Sequence, residues 1–236
     1  MKRPFEFSAL YLFGSRLYGT ATKDSDYDYI LILPQGVAKT DSLVIDGDHH
    51  YQVYTENEWI YKISNHDIAA LECLSIPEDP ASQNPEDYSV YFKLNLNKLR
   101  ESISTISNNS WVKAKKKLII SGDYDKKAGM KSAFHAIRIL RFGIQVARQG
   151  MISDYKECNW LWLEIEKLGS QYDADILWEK INEKYKPLFN ATSSEFKALA
   201  PKNLEPRDKV RTLKGILERY GCYTQELSDE IRGIYE

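Results

Sequence analysis

Residues 14–33 read GSRLYGTATKDSDYDYILIL, and the apolar run ALYLF at 9–13 leads straight into them. Both ends of this block, 9–13 and 27–33, are rich in aromatic and branched residues and bounded by Gly, Asp or Pro, which is the composition of strands. A glycine closing a strand lets the backbone approach a ligand and exposes successive N–H groups, so Gly14-Ser15 suits an anion such as phosphate. Ser15 adds a hydroxyl donor, and Arg16 adds a planar cationic fork that matches phosphate oxygens. Asp26 and Asp28 enter the second strand two apart, so their carboxylates share one face. Like charges held together are costly unless a cation lies between them. Mg²⁺ takes one or two carboxylates together with substrate phosphates, and the spacing therefore predicts a divalent metal, Mg²⁺ or Mn²⁺, on Asp26 and Asp28. Such ions activate an attacking hydroxyl and stabilise a leaving pyrophosphate.

Outward from that block the period changes. A third strand-like run lies at 51–55, and helical spacing follows at 56–63 and 67–74, with Pro77 closing the second segment. These elements make a small α/β head over residues 1–88. Loop chemistry dominates 80–87, and beyond it helical patterns fill 90–106, 111–121, 125–149, 156–167, 173–185 and 206–220, with Gly150, Gly169 and Gly221 placed as stops. The expected class is α+β, with a short mixed sheet and its helices followed by an α-helical domain, 89–236, that closes the cleft.

Gly14-Ser15-Arg16 with Gly19, followed by Ser25-Asp26 and Asp28, resembles the signature of polymerase-beta-like nucleotidyltransferases. In these proteins Gly-Ser and Asp-x-Asp bind a nucleoside triphosphate and its metals. Residues 50–77 resemble the helix pair that follows the third strand in a branch of predicted nucleotidyltransferases from bacteria and their phages, and residues 131–150 resemble the first long helix of that branch's C-terminal domain. The resemblance implies a nucleotidyltransferase that moves a nucleoside monophosphate from an NTP, ATP among them, to a hydroxyl on an RNA end, a protein or a small molecule, releasing pyrophosphate. It also implies a third carboxylate from the next strand. At that place the chain reads DGDHHYQVYT, so Asp48, His50 or Gln52 takes the position, or nothing does.

On residues 131–148, Lys131, His135, Arg138, Arg141, Gln145 and Arg148 recur every three or four residues, and Ala133, Ala136, Ile137, Leu140, Ile144 and Ala147 form the opposite stripe. The helix is thus expected to anchor by its apolar face and to turn Lys131, His135 and Arg138 towards the triphosphate, where Gly14, Ser15 and Arg16 hold phosphates from the head. Trp160, Trp162 and Trp178 read as packing residues, the KAKKK run at 113–117 as a solvated face, Glu72 as a buried partner for a basic residue, and His66 as a helix boundary.

The chain has 236 residues, enough for a true core, with 32 basic against 34 acidic side chains and a net charge of -2. A globally basic nucleic-acid binder is not indicated, and any attraction to phosphate is local. Three cysteines without a paired spacing and no long apolar run point to a reducing cytoplasm and no membrane span. Two other readings stand beside the enzyme: a nucleotide-binding regulator on the same fold that no longer catalyses, and a helical nucleic-acid or partner-binding protein using KAKKK and the basic stripe.

Overall fold

The computed structural model of the protein describes residues 6–76, 82–83 and 86–201. The expected Pro77 stop, most of the 80–87 loop, the 206–220 helix, Gly221 and Cys222 lie outside the described residues. The head is a four-stranded mixed sheet of order β1-β2-β4-β3, built from β1 (Ala9–Phe13), β2 (Tyr27–Leu33), β3 (Leu43–Asp46) and β4 (His49–Thr55). β2 is antiparallel to β1 and parallel to β4, and β3 is the antiparallel edge strand on β4. The pleat sorts the side chains. Ala9, Tyr11, Ile30 and Ile32 face the head's two helices and pack with Trp59, Ile63, Ala70 and Cys73, whereas Leu10, Leu31, Leu33, Tyr51 and Val53 form a second buried cluster.

Helix α2 (Glu56–Ser64) leaves β4 through a capping box: Thr55 Oγ1 accepts from the Glu58 amide and the Glu58 carboxylate accepts from the Thr55 amide. Lys39 pairs with the same carboxylate at 2.5 Å. α3 (Ile68–Leu74) follows, with Asp67 capping it through the Ala69 amide. The short α1 (Gly14–Tyr18) lies between β1 and β2.

The body comprises α4 (Leu96–Ile119), α5 (Lys126–Gln149), α6 (Asn159–Gln171) and α7 (Ala174–Leu199). Leu99, Ile103, Trp111 and Leu118 of α4 share one core with Ile137, Leu140 and Phe142 of α5, Leu161 and Ile165 of α6, and Leu177, Ile181, Phe189 and Phe196 of α7. Tyr18, Ile68 and Leu71 of the head belong to the same core, so the cleft between head and body has a common floor. Among the described residues no helix is long and apolar enough to cross a membrane.

The α+β class is as expected, and several boundaries differ. The segments 90–106 and 111–121 join into the single helix α4, because Ser107 donates to the Ala136 carbonyl at 2.7 Å while Asn108 and Asn109 face solvent. These polar residues are satisfied without breaking the helix. α7 runs past Pro187 to Leu199, since buried Tyr185, Phe189 and Phe196 hold it on both sides of the proline. Gly150 does end α5 in the left-handed region, at φ 80°. Gly169 is no stop: it lies inside α6 against the Met130 sulfur, where an added Cβ would push the Met130 side chain aside. α6 begins at Asn159 because residues 153–154 dock onto α5 instead, their amides donating to Gln145 Oε1 at 2.8 and 3.0 Å.

Candidate active site

The turn after β1 is built by Gly14, whose φ of +72° is reached at little cost without a side chain. Phe13 pairs with Asp28 across the sheet, and a Cβ on Gly14 would meet Asp28 Oδ2 at 2.5 Å. Backbone and carboxylate are thus pressed together. Gly14→Ala is expected to cost about 1–2 kcal/mol of stability from the left-handed strain alone, and to displace the Asp28 carboxylate. Urea denaturation checks the first effect, and nucleotide binding that falls more than the stability loss explains checks the second.

Arg16, expected to hold phosphate, is placed against the entrance to β2. Its Nε donates to the Asp26 carbonyl at 3.2 Å, its Nη2 to the Ser25 carbonyl at 2.6 Å, and its guanidinium lies 3.5 Å from the Tyr27 ring centroid. Its donors hold the backbone that carries Asp26, and it does not line the cleft. Ser15 and Gly14 do line it.

Asp26 and Asp28 point into the cleft from β2, their side chains 55% and 45% exposed. In the parallel register Asp28 stands beside His50, whose Nδ1 lies 3.7 Å from Asp28 Oδ1 and 3.9 Å from Asp26 Oδ2. Burial raises the Asp28 carboxyl above its ordinary range. The His50 imidazole pulls it back, Asp26 raises it further, and Lys131 across the cleft lowers it. The position next to the two aspartates is therefore held by a histidine. Gln52, two residues on, also lines the cleft, whereas Asp48 sits in the β3–β4 turn, accepts the Tyr27 amide on its carbonyl at 2.7 Å, and does not. Among the described residues no group of three or more His, Cys, Asp or Glu forms a ready metal cage. Two carboxylates abutting a glycine turn still fit one divalent ion that takes its remaining ligands from phosphates and water.

The facing wall comes from the body. The cleft holds about 480 Å³, and Lys131, His135 and Arg138 of α5 line it together with Asp26, Asp28 and Ser15. Of these three, only Lys131 is an exposed cation. Arg138 is 4% exposed, its guanidinium 3.4 Å from the Tyr18 ring centroid and its Nη2 3.7 Å from Glu72 Oε1. Tyr18 donates its hydroxyl to Glu72, and Tyr155 donates to the Glu72 carbonyl. Burial raises the Glu72 carboxyl while Arg138 lowers it, and burial pushes the Tyr18 hydroxyl well up. Arg138 Nε and Nη1 have no hydrogen-bond partner among the described residues. Burial, with Arg138, Lys131 and Lys113 nearby, holds His135 well below the usual imidazole range, so it is neutral at pH 7 and supplies no positive charge to a triphosphate. The rest of the stripe is consumed in the body: Arg141 pairs with Glu157 and Glu195, Arg148 with Glu195, and Gln145 donates to the Asp154 carbonyl.

Among the lining residues that sequence reasoning did not place in the cleft are Ser110, Lys113, Lys127, Trp162 and Glu166. Lys127 precedes Lys131 by four residues, one helical turn, which is the signal that could have found it. Lys113 was hidden in a lysine run, and Trp162 among aromatics at core spacing.

The sequence matches no curated protein. Residues 1–92 match the family model of the nucleotidyltransferase domain, which covers the whole head with its glycine turn, both aspartates and His50. Residues 1–92 are thus a nucleotidyltransferase domain, of a family within the polymerase-beta-like nucleotidyltransferase superfamily.

Proposed function

We propose that the cleft transfers a nucleoside monophosphate from an NTP, ATP among the candidates, to a hydroxyl acceptor, with release of pyrophosphate. One observation carries this reading: a glycine turn, two carboxylates and a free lysine from a different element line the same cavity. The Gly14-Ser15 turn offers backbone and hydroxyl donors to the triphosphate, and Arg16 fixes the strand entrance from behind. Asp26 and Asp28 would hold Mg²⁺ or Mn²⁺. When bound, that ion neutralises phosphate charge and lowers the cost of both attack and departure. Lys131 adds a cation opposite Asp28, and Arg138 adds a buried one behind Tyr18. In the transfer, the acceptor oxygen bonds to the α-phosphorus as the bond to the pyrophosphate oxygen breaks, and the hydroxyl proton leaves to solvent or a base.

In this reading the head, near 1–88, supplies the chemistry and the helical part beyond it closes the cleft, in a cytoplasmic setting. Cys73 and Cys158 are buried free thiols, in keeping with that setting. The second reading, a nucleotide-binding regulator, draws on His50 standing beside the aspartates where the superfamily resemblance implies a carboxylate.

Incubation with each α-labelled NTP and Mg²⁺ or Mn²⁺ separates the two. Labelled product and pyrophosphate that vanish in Asp26→Asn support transfer. Nucleotide binding without pyrophosphate release, across acceptors that include RNA, protein and small alcohols, supports the regulator.

A further inference from the structure

We propose that the helical wall of the cleft carries a second anion subsite, which takes the backbone phosphates of a single-stranded polynucleotide whose terminal hydroxyl is the acceptor. This rests on the nucleotidyl-transfer reading above and adds to it the class of acceptor.

The observation is a set of cations that the triphosphate does not account for. Lys131 is the lysine that acts on Asp28. Lys113 of α4 and Lys127 of α5 line the same cleft, with Ser110 beside them. Their neighbours Lys117 and Lys126 are neutralised by Asp123 and Asp173, whereas Lys113, Lys116 and Lys127 form no ion pair among the described residues. Unpaired lysines inside a concave surface raise the local concentration of anions far more than the same charges on a convex one.

Their arrangement is linear. α4 and α5 are antiparallel, set by the Ser107 bond to the Ala136 carbonyl and by Gly129 lying against the Leu118 side chain. Lys127 is one turn beyond Lys131 on the side away from Arg138, and Lys116 is one turn beyond Lys113, so both helices extend the cations towards the tip that joins them. On α5 the exposed pair Lys131 and Lys127 stands roughly 6 Å apart at the rise of an α-helix, with Lys113 of α4 in the same cleft. A row of separated charges matches the repeated phosphates of a chain, and a lone phosphate group would use one end of it only. The same wall offers Trp162, partly exposed and packed on Phe134 at a centroid distance of 5.6 Å. A cationic groove with an aromatic ring beside it is the common construction of single-strand sites.

The test uses the full chain and a fluorescent single-stranded oligoribonucleotide, with anisotropy read across a salt series, and in parallel the affinity for each NTP with Mn²⁺. The Lys113→Ala/Lys127→Ala double variant changes exposed side chains and keeps the core. Wild type is expected to bind the oligonucleotide with an affinity that falls linearly in log salt. The double variant should bind roughly tenfold more weakly and lose about 1.4 from the salt slope, with NTP affinity unchanged.

Four results overturn the proposal while leaving the NTP reading intact: NTP binding without oligonucleotide binding, oligonucleotide binding that the double variant does not weaken, weakening of NTP binding alone, or displacement of the oligonucleotide by a phosphomonoester at equal phosphate concentration. Oligonucleotide binding with no NTP binding to wild type overturns the transfer reading itself, and this proposal with it.

Discussion

Asp26→Asn and Asp28→Asn are each expected to reduce nucleotidyl transfer by about 10³-fold or more, the scale of losing several kcal/mol of metal-assisted charge stabilisation. The two side chains share one face of β2 and converge on His50, within 4 Å of both. Among the described residues their ion-pair partner is the half-exposed His50, and Arg16 holds the Asp26 carbonyl, not its carboxylate. Stability should therefore stay level or rise slightly, because one of two neighbouring like charges is removed and Asp28 is already disfavoured as an anion by burial. A matched pair of measurements, product formation and urea denaturation, checks this. Activity and stability falling together would show that the carboxylates serve the fold rather than a ligand.

Arg138→Ala should give the largest stability loss of any single substitution discussed here, about 3–5 kcal/mol, the cost of leaving a buried carboxylate without its counter-charge. Glu72 is 1% exposed, and among the described residues the remaining hydrogen-bond partner of its carboxylate is the Tyr18 hydroxyl. The pH dependence has a defined sign. Burial already raises the Glu72 carboxyl above its ordinary value of 4.5, and Arg138 is the group that lowers it most. Without Arg138 the folded protein binds that proton more tightly than the unfolded chain does, so the variant's deficit should shrink as pH falls towards 4.5 and widen as pH rises above it. Glu72→Gln in the same background removes the stranded charge and should recover a large part of the loss. Urea midpoints across a pH series read all three effects. A pH-independent loss that Glu72→Gln does not repair would mean that Arg138 stabilises by packing on Tyr18, Phe134 and Phe142 alone.

Much of the head was legible because its signals are local. The aromatic and branched composition of residues 9–13 and 27–33 gives two strands, and the two-residue spacing of Asp26 and Asp28 puts both carboxylates on one face. β3 was not legible: LVID is a short edge strand with little buried surface, so it carries almost no hydrophobic pattern. The third position could not be decided from spacing, since Asp48, His50 and Gln52 lie within a few residues. The β2–β4 register, a non-local fact, puts His50 beside Asp28.

On α5 the period showed which side chains share a face but not what that face meets. Its middle meets Tyr18 and Glu72 of the head, which turns Arg138 into half of a buried ion pair and His135 into a neutral ring. Its lower end meets Glu157 and Glu195. Lys131 alone of the three expected α5 residues keeps an exposed charge. Arg16 teaches the same point at shorter range: a guanidinium after Gly-Ser suits phosphate oxygens, and the carbonyls of Ser25 and Asp26 also accept from it.

The central claim is that Asp26 and Asp28 hold a divalent ion jointly with a nucleoside triphosphate. Electron paramagnetic resonance of Mn²⁺ titrated into the protein, with and without each NTP, tests it most directly, because free and bound Mn²⁺ are distinguished whether or not any acceptor is present. The prediction is weak binding by the protein alone, binding strengthened several-fold by at least one NTP in line with reciprocal linkage, and loss of that strengthening in Asp26→Asn and Asp28→Asn. Strengthening by NTP that persists undiminished in both variants, or none with any NTP, would contradict it.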